Sequence, residues 1–370
     1  MKVSAFPATA RAKAVWGPRR VAGLVALVAI WCGVAPNVNA QGRHRQTLPR
    51  VRPGTENAFV NRGKMDADVA KRASSFNLLG LATANVIVTL EPGADLPYAF
   101  KRYSHGGQLA LIHAYVLDQV PVSQLATLAQ SASVHGLHYN RPAHKHDALS
   151  SVAVNANAVD VGHGINNSLY GYTGAGVTVA FIDSGITSHP DLADSRVLAF
   201  VDFVNGRWSK YDDDGHGTHV AGIIGGTGKL SAKKYAGMAP GASLVSLKVL
   251  DQNGEGSVGN ILKALDWVYA NGKAYGVRVV NLSVGAAVTE SYYTDPLTLA
   301  TKALVDSGIT VVAAAGNRGL NAAGQPQWGG IASPGNAPWV LTVCAFSTKG
   351  TYDVADDTVA PFSSAGPTAA

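Results

Sequence analysis

The sequence predicts an α/β fold: a parallel sheet with helices on both faces over residues 150–370, preceded by a small α+β unit at 85–146. Three observations carry this. After residue 150, continuous apolar runs alternate with helical patterns, the mark of strands buried on both sides. Between 85 and 146, short β-branched stretches flank one helical pattern in a segment too small for a second such sheet. The 370 residues are 47% hydrophobic with no repeat of 20–50 residues, which fits packed domains and excludes solenoids and propellers.

The elements follow in order. Arg11, Lys13, Arg19 and Arg20 precede the apolar run Val21–Ala35, and Val38-Asn-Ala40 places small residues before a cut, so residues 1–40 read as a secretory signal. The run has 15 residues, shorter than the ~20 of a spanning helix, so the expectation is an exported protein, extracellular or periplasmic, with no membrane association after cleavage. Residues 41–84 are rich in Arg, Asn, Gly and Pro and read as a linker. Val86–Leu90 and Leu109–Leu117 read as strands, and Val122, Leu125, Leu128 and Ala129 recur at helical spacing. Arg141-Pro-Ala-His-Lys-His146 reads as a polar, exposed stretch suited to proteolysis. Beyond 150, Val177–Ile182, Leu244–Leu250, Val277–Leu282 and Ile309–Ala315 read as strands. Helical faces lie around Ile261–Val268 and Leu297–Leu304.

Charge excludes one class of partner. Residues 1–150 carry 17 Lys/Arg against 7 Asp/Glu, whereas residues 151–370 carry 13 against 17. A nucleic-acid binder concentrates positive charge on its folded domain, and this chain does the reverse. Of two cysteines, Cys32 lies in the leader, and Cys344 in the apolar run Trp339–Phe346 is expected to be a buried strand residue.

In open sheets of this kind, ligands bind beyond the carboxyl ends of the strands. Asp183, Asn281, Ser283 and Asn317 stand at or near such ends. Asp183 begins Asp-Ser-Gly-Ile-Thr-Ser-His-Pro-Asp, and Asp214-Gly-His-Gly-Thr-His-Val-Ala-Gly222 places His216 at the start of a helix of small residues. Asn317 ends Ala-Ala-Ala-Gly-Asn. Two other readings compete for these residues. His216 and His219, with Asp212, Asp213 and Asp214, have the types of a metal site, but no further ligand segment is evident. The acidic run also reads as a solvated loop that biases His216 toward protonation. Gly171, Gly174 and Gly176 precede a strand, the wrong order for a dinucleotide cradle.

Together, the segments at Asp183, His216 and Asn317 resemble the subtilisin-like serine protease family (subtilases), over about 150–370. The 85–146 unit resembles that family's inhibitory propeptide by layout and position. The resemblance implies a secreted endopeptidase made as a zymogen, hydrolysing peptide bonds of protein or peptide substrates through an Asp-His-Ser triad. His216 would be the general base, Asp183 its orienting carboxylate and Asn317 an oxyanion donor. Gly254, Glu255 and Gly256 match one arm of a substrate clamp, and Ser283, Val284 and Gly285 the other. Ala314, Ala315 and Gly316 would wall the primary specificity pocket, with Arg318 at its base favouring acidic residues before the scissile bond. Its own propeptide is the implied partner. No cofactor is indicated, and the Gly225–Gly237 loop does not match the calcium loop of the best-known subtilisins, which leaves structural calcium elsewhere open. The family nucleophile sits in Gly-Thr-Ser-Met-Ala, and no Gly-Thr-Ser occurs here. Ser363 and Ser364 belong to the segment upstream of it. The expectation is therefore a chain truncated before its serine and inactive as given; the alternative is a catalytically dead secreted protein that binds peptides.

Overall fold

A computed structural model describes residues 63–74, 82–145, 172–347, 349 and 354–368. The leader at 1–40, most of the expected linker, His146 and Gly171 lie outside them.

The first unit begins earlier than the sequence suggested. Helix α1 (Ala67–Ser74) buries Val69 against the sheet that follows, and Asp66 caps its first turn by accepting the Val69 N–H. Strands β1 (Thr83–Leu90), β2 (Ser104–Leu109), β3 (Ala114–Pro121) and β4 (Val134–Tyr139) form an antiparallel sheet ordered β2-β3-β1-β4. Helix α2 (Val122–Gln130) buries Val122, Leu125, Leu128 and Ala129, the four positions its periodicity marks. The single strand expected at Leu109–Leu117 is two strands of a hairpin. His113 takes a left-handed conformation at φ 50°, and Asp266 accepts the Leu111 N–H from across the interface.

The larger unit is built on a six-stranded parallel sheet ordered β13-β12-β10-β6-β8-β7. Its central strand β6 (Thr178–Asp183) is buried at all six positions, as its unbroken apolar run requires. β8 (Ser243–Lys248) and β10 (Val277–Leu282) flank it, with β7 (Val197–Asp202), β12 (Thr310–Ala314) and β13 (Leu341–Val343) outside. Helices cover both faces. Ala180 and Ile182 pack with Ile261, Leu265, Leu297 and Leu304 of α4 (Val258–Asn271) and α5 (Pro296–Asp306). Val179 and Phe181 point the other way, with Ala221 of α3 (His216–Gly225). Cys344 is exposed instead of buried, because β13 is an edge strand whose pairing stops at Val343.

The two units share one core. Ile87, Leu109, Ala114 and Val116 of the smaller sheet cluster with Ile261 and Leu262 of α4. At the start of α4, the Asn140 side-chain oxygen accepts the Gly259 N–H at 2.7 Å, while the N-cap Ser257 accepts from Asn260. Burying an Ile, Leu or Val side chain in this shared core stabilises it by about 1.5–3 kcal/mol. Strand β5 (Pro142–Lys145) then leaves the smaller sheet and inserts between β9 (Glu255–Ser257) and β11 (Val284–Ala286), antiparallel to both. The Arg141–Lys145 stretch is thus not an exposed loop: Arg141 and Ala143 are buried. Its polar composition is satisfied by backbone pairing on both sides and by ion pairs to the larger unit.

Candidate active site

Asp183 is the last residue of β6 and His216 the first of α3. The two elements approach closely because Gly185 and Gly217 leave no side chain between them; a Cβ on Gly217 would strike the Gly185 carbonyl. His216 Nδ1 lies 2.6 Å from Asp183 Oδ1, and both side chains are buried. A carboxylate only accepts, so Nδ1 carries the proton and Nε2 is left as the basic atom. Burial raises the Asp183 carboxyl above its ordinary value, opposed by the hydrogen bond and charge of His216 and by the Ser184 N–H.

The acidic run before His216 is not a solvated loop. Asp212 accepts the Gly215 and Thr218 N–H groups and the hydroxyls of Thr218 and Ser184, capping α3. Burial would raise this carboxyl, but those donors together hold it below the ordinary value. Asp213 pairs with Lys248 at 2.6 Å, and Asp214 with Lys145 at 2.8 Å. The His216–His219 alternative is not assembled either: His216 turns to Asp183, and His219 is exposed.

Lys248 was missed by the motif reading. It is fully buried, and its Nζ donates to the Ser184 and Leu250 carbonyls and to Asp213. It therefore ties the turn after Asp183 to the segment that leads from β8 toward residues 254–256. A lysine inside an otherwise apolar strand run was the available signal.

The two segments expected as clamp arms fall at β9 and β11. Gly254 precedes β9, Glu255 and Gly256 lie in it, Ser283 precedes β11, and Val284 and Gly285 lie in it. Between them β5 pairs Ala143 with Gly256 and Ala286, and His144 with Glu255 and Gly285. The Lys145 N–H reaches the Gly254 carbonyl. Glu255 is exposed.

At the end of β12, Ala314 is half-buried and Ala315 and Gly316 are buried. Gly316 adopts φ 102°, which suits glycine. Asn317 and Arg318 are both exposed. Ser363 and Ser364 are buried structural residues: their hydroxyls accept the Ala345 and Arg318 N–H groups.

The larger unit matches the model of the subtilase family over residues 174–370, more than half of the chain. The chain belongs to the subtilase family. Among its relatives, it is 40% identical over 201 residues to Serine protease AprX of Bacillus subtilis (strain 168), covering 53% of this chain and 44% of that protein. It is 34% identical over 180 residues to Thermostable alkaline protease of Halalkalibacterium halodurans, covering 49% and 44%. It is 39% identical over 156 residues to Subtilisin Savinase of Lederbergia lenta, covering 42% and 53%. This subtilase therefore matches about half the length of these relatives.

Among the described residues, one trio of metal-ligand types converges in the subtilase chain: Asp66, His138 and Glu290, with ligand atoms within 4.8 Å of one another. It lies between the two units. His138 Nδ1 sits 3.0 and 3.1 Å from the two Glu290 oxygens, and Asp66 accepts the Val69 and Tyr139 N–H groups. Burial pulls His138 down, but Glu290, Asp66 and Asp295 outweigh it and the net direction is up. An ion pair accounts for the arrangement.

Proposed function

We propose that this chain belongs to a secreted serine endopeptidase made as a zymogen, with residues 63–145 as its inhibitory propeptide. One observation carries the reading: a buried imidazole–carboxylate pair at 2.6 Å stands beside a clamp already filled by an extended strand of the same chain. The leader pattern at 1–40 supports export.

In this reading, Nε2 of His216 takes the proton of a serine hydroxyl as that oxygen attacks the substrate carbonyl. Asp183 holds the tautomer and stabilises the imidazolium. His216 then returns the proton to the leaving amine, and water repeats the sequence on the acyl ester. The exposed Asn317 amide, at the end of β12, serves as oxyanion donor, an interaction of about 3–4 kcal/mol. β9 and β11 hold the substrate backbone as they hold β5. Ala314, Ala315 and Gly316 wall the pocket for the residue before the scissile bond. No Gly-Thr-Ser occurs in these 370 residues, so the serine of this reading is not among them.

The test uses two proteins: residues 1–370, and the same chain extended through the serine segment of its reading frame. The first is expected to leave casein intact. The second is expected to hydrolyse it, with His216→Ala lowering kcat by about 10⁴–10⁶. Hydrolysis by the shorter protein, or an extended protein indifferent to His216→Ala, overturns the reading.

A further inference from the structure

We propose that Lys248 is a positioning residue of the Asp183–His216 pair: one buried ammonium holds the turn after the acid against the loop before the base and balances the charge of that loop. The inference rests on reading Asp183 and His216 as the catalytic pair.

Lys248 is the register partner of Asp183 on the neighbouring strand, so both side chains leave the face of the sheet that α3 covers. Lys248 is fully buried, a placement lysine takes when its charge is matched. An ammonium has three N–H donors, and each finds an acceptor here. These are the Ser184 carbonyl at 2.6 Å, Asp213 Oδ1 at 2.6 Å and the Leu250 carbonyl at 2.7 Å. Well-packed apolar residues often replace a buried ion pair without loss of stability, so burial alone gives no reason for a lysine at this point.

Its partners give the reason. Ser184 joins the two members of the pair: its N–H donates to Asp183 Oδ1 at 2.7 Å, and its hydroxyl donates to Asp212 at 2.8 Å. The same hydroxyl oxygen accepts the Gly217 N–H at 2.8 Å. Fixing the Ser184 carbonyl thus fixes both the carboxylate of the acid and the first turn of the helix that carries the base. The Asp183 carbonyl is held by the Val249 and Leu250 N–H groups, so Lys248-Val249-Leu250 wraps around Asp183-Ser184. Asp213 stands three residues before His216 and brings that loop to the same ammonium.

Charge adds a second task. Around His216 lie Asp183 on β6, Asp212, Asp213 and Asp214 in its own loop, Lys145 on β5 and Lys248 on β8. His219, further along α3, and Glu255 on β9 are exposed. Four carboxylates favour the imidazolium, which cannot take a proton from a nucleophile. Lys145 belongs to the smaller unit and departs with it in the zymogen reading, whereas Lys248 belongs to the larger unit and stays.

Two measurements test this, and the first needs no catalysis. In the 370-residue chain, NMR titration gives the midpoint of the His216 imidazole in wild type, Lys248→Met, Lys248→Arg and Asp213→Asn. Lys248→Met leaves Asp213 uncompensated beside the imidazole, and the midpoint is expected to rise by about 0.5–1 pH unit. Asp213→Asn leaves the ammonium uncompensated, and the midpoint is expected to fall by a similar amount. Lys248→Arg keeps the charge and should hold the wild-type midpoint. A residue that only supports the fold produces no such pair of opposite shifts. Shifts of the same sign, or none in Asp213→Asn, overturn the proposal. Asp213 is 29% exposed, so that variant decides even where Lys248→Met does not fold. The second measurement uses the serine-containing form. Lys248→Met is expected to lower kcat about ten- to hundredfold with KM within about twofold, and Lys248→Arg to recover most of the loss. The acid limb of kcat/KM should move in the same direction as the midpoint. An unchanged kcat in Lys248→Met overturns the proposal. An inactive wild-type extended protein counts against the protease reading, and the titration still decides the role of Lys248.

Discussion

The two ends of β5 are both held by ion pairs, four residues apart, and the pairs differ in kind. At one end Arg141 and Asp295 are almost fully buried, at 5% and 0% exposure, in a bidentate contact with both distances 2.7 Å. Arg141 also donates to Thr289 and the Ala287 carbonyl, while Asp295 accepts from Ser333 and caps α5 through the Leu297 N–H. At the other end Lys145 reaches Asp214 with its side chain 37% exposed and its stem against Gly254. The first pair belongs to a closed network in which each group has several partners. The second joins a fixed acid to an adaptable chain. The comparison separates a closed, buried anchor at Arg141 from a partly hydrated contact at Lys145.

The largest expected effect breaks the anchor. Arg141→Met leaves Asp295 buried without its counter-charge, which costs about 3–5 kcal/mol. Lys145→Met removes a partly hydrated pair and costs about 1 kcal/mol or less. Urea unfolding of the 370-residue chain checks both, as the difference in midpoint at constant slope. Equal losses would abolish the distinction between the two ends.

The second prediction adds pH to the anchor. His138, beside Arg141's network, has a value raised above the ordinary 6.5 by Glu290, Asp66 and Asp295, against the pull of burial. A histidine whose folded value is raised contributes stability that is complete below about pH 6.5 and is lost as pH climbs through the folded value. Asp66, raised above 3.8 by burial, acts with the same sign in the acidic range. Docking of the smaller unit should therefore weaken as pH rises above 6.5 and through the folded value. Hydrogen exchange at β4 and β5 between pH 6 and 9 measures it against the His138→Gln background. A variant that keeps the wild-type slope would remove His138 as the cause.

The same contrast explains what could be read from the sequence. Val177–Ile182 announced a buried strand because an unbroken apolar run has few other uses, and Asp183 at its end was conspicuous for being charged there. The four buried positions of α2 and the glycines around His216 were legible for the same reason: their causes are local. What escaped depends on distant partners. The 109–117 run breaks into a hairpin where Asp266, 155 residues away, takes the Leu111 N–H. Arg141–Lys145 reads as a polar loop until Asp295 and Asp214 neutralise it. Cys344 looked like core because its neighbours are apolar, yet it follows the last paired residue of an edge strand. Spacing alone reports none of these contacts.

The smallest expected effect concerns Arg318, which the sequence reading placed at the base of the specificity pocket to attract acidic residues. Arg318 is exposed, and its backbone supplies its described hydrogen bonds: its N–H to the Ser364 hydroxyl and its carbonyl to the Gln327 amide. A guanidinium in water loses most of its attraction to screening, in contrast to Asp214, whose carboxylate is almost out of solvent. In the proposed reading Ala314, Ala315 and Gly316 contribute only small apolar walls, so the pocket before the scissile bond should select chiefly by size. Arg318→Glu in the serine-containing form is thus expected to change the ratio of acidic to basic residues before the scissile bond by about twofold or less. Profiling wild type and this variant on one peptide library measures the ratio. A change well above twofold would place charge selection at Arg318 in spite of its exposure.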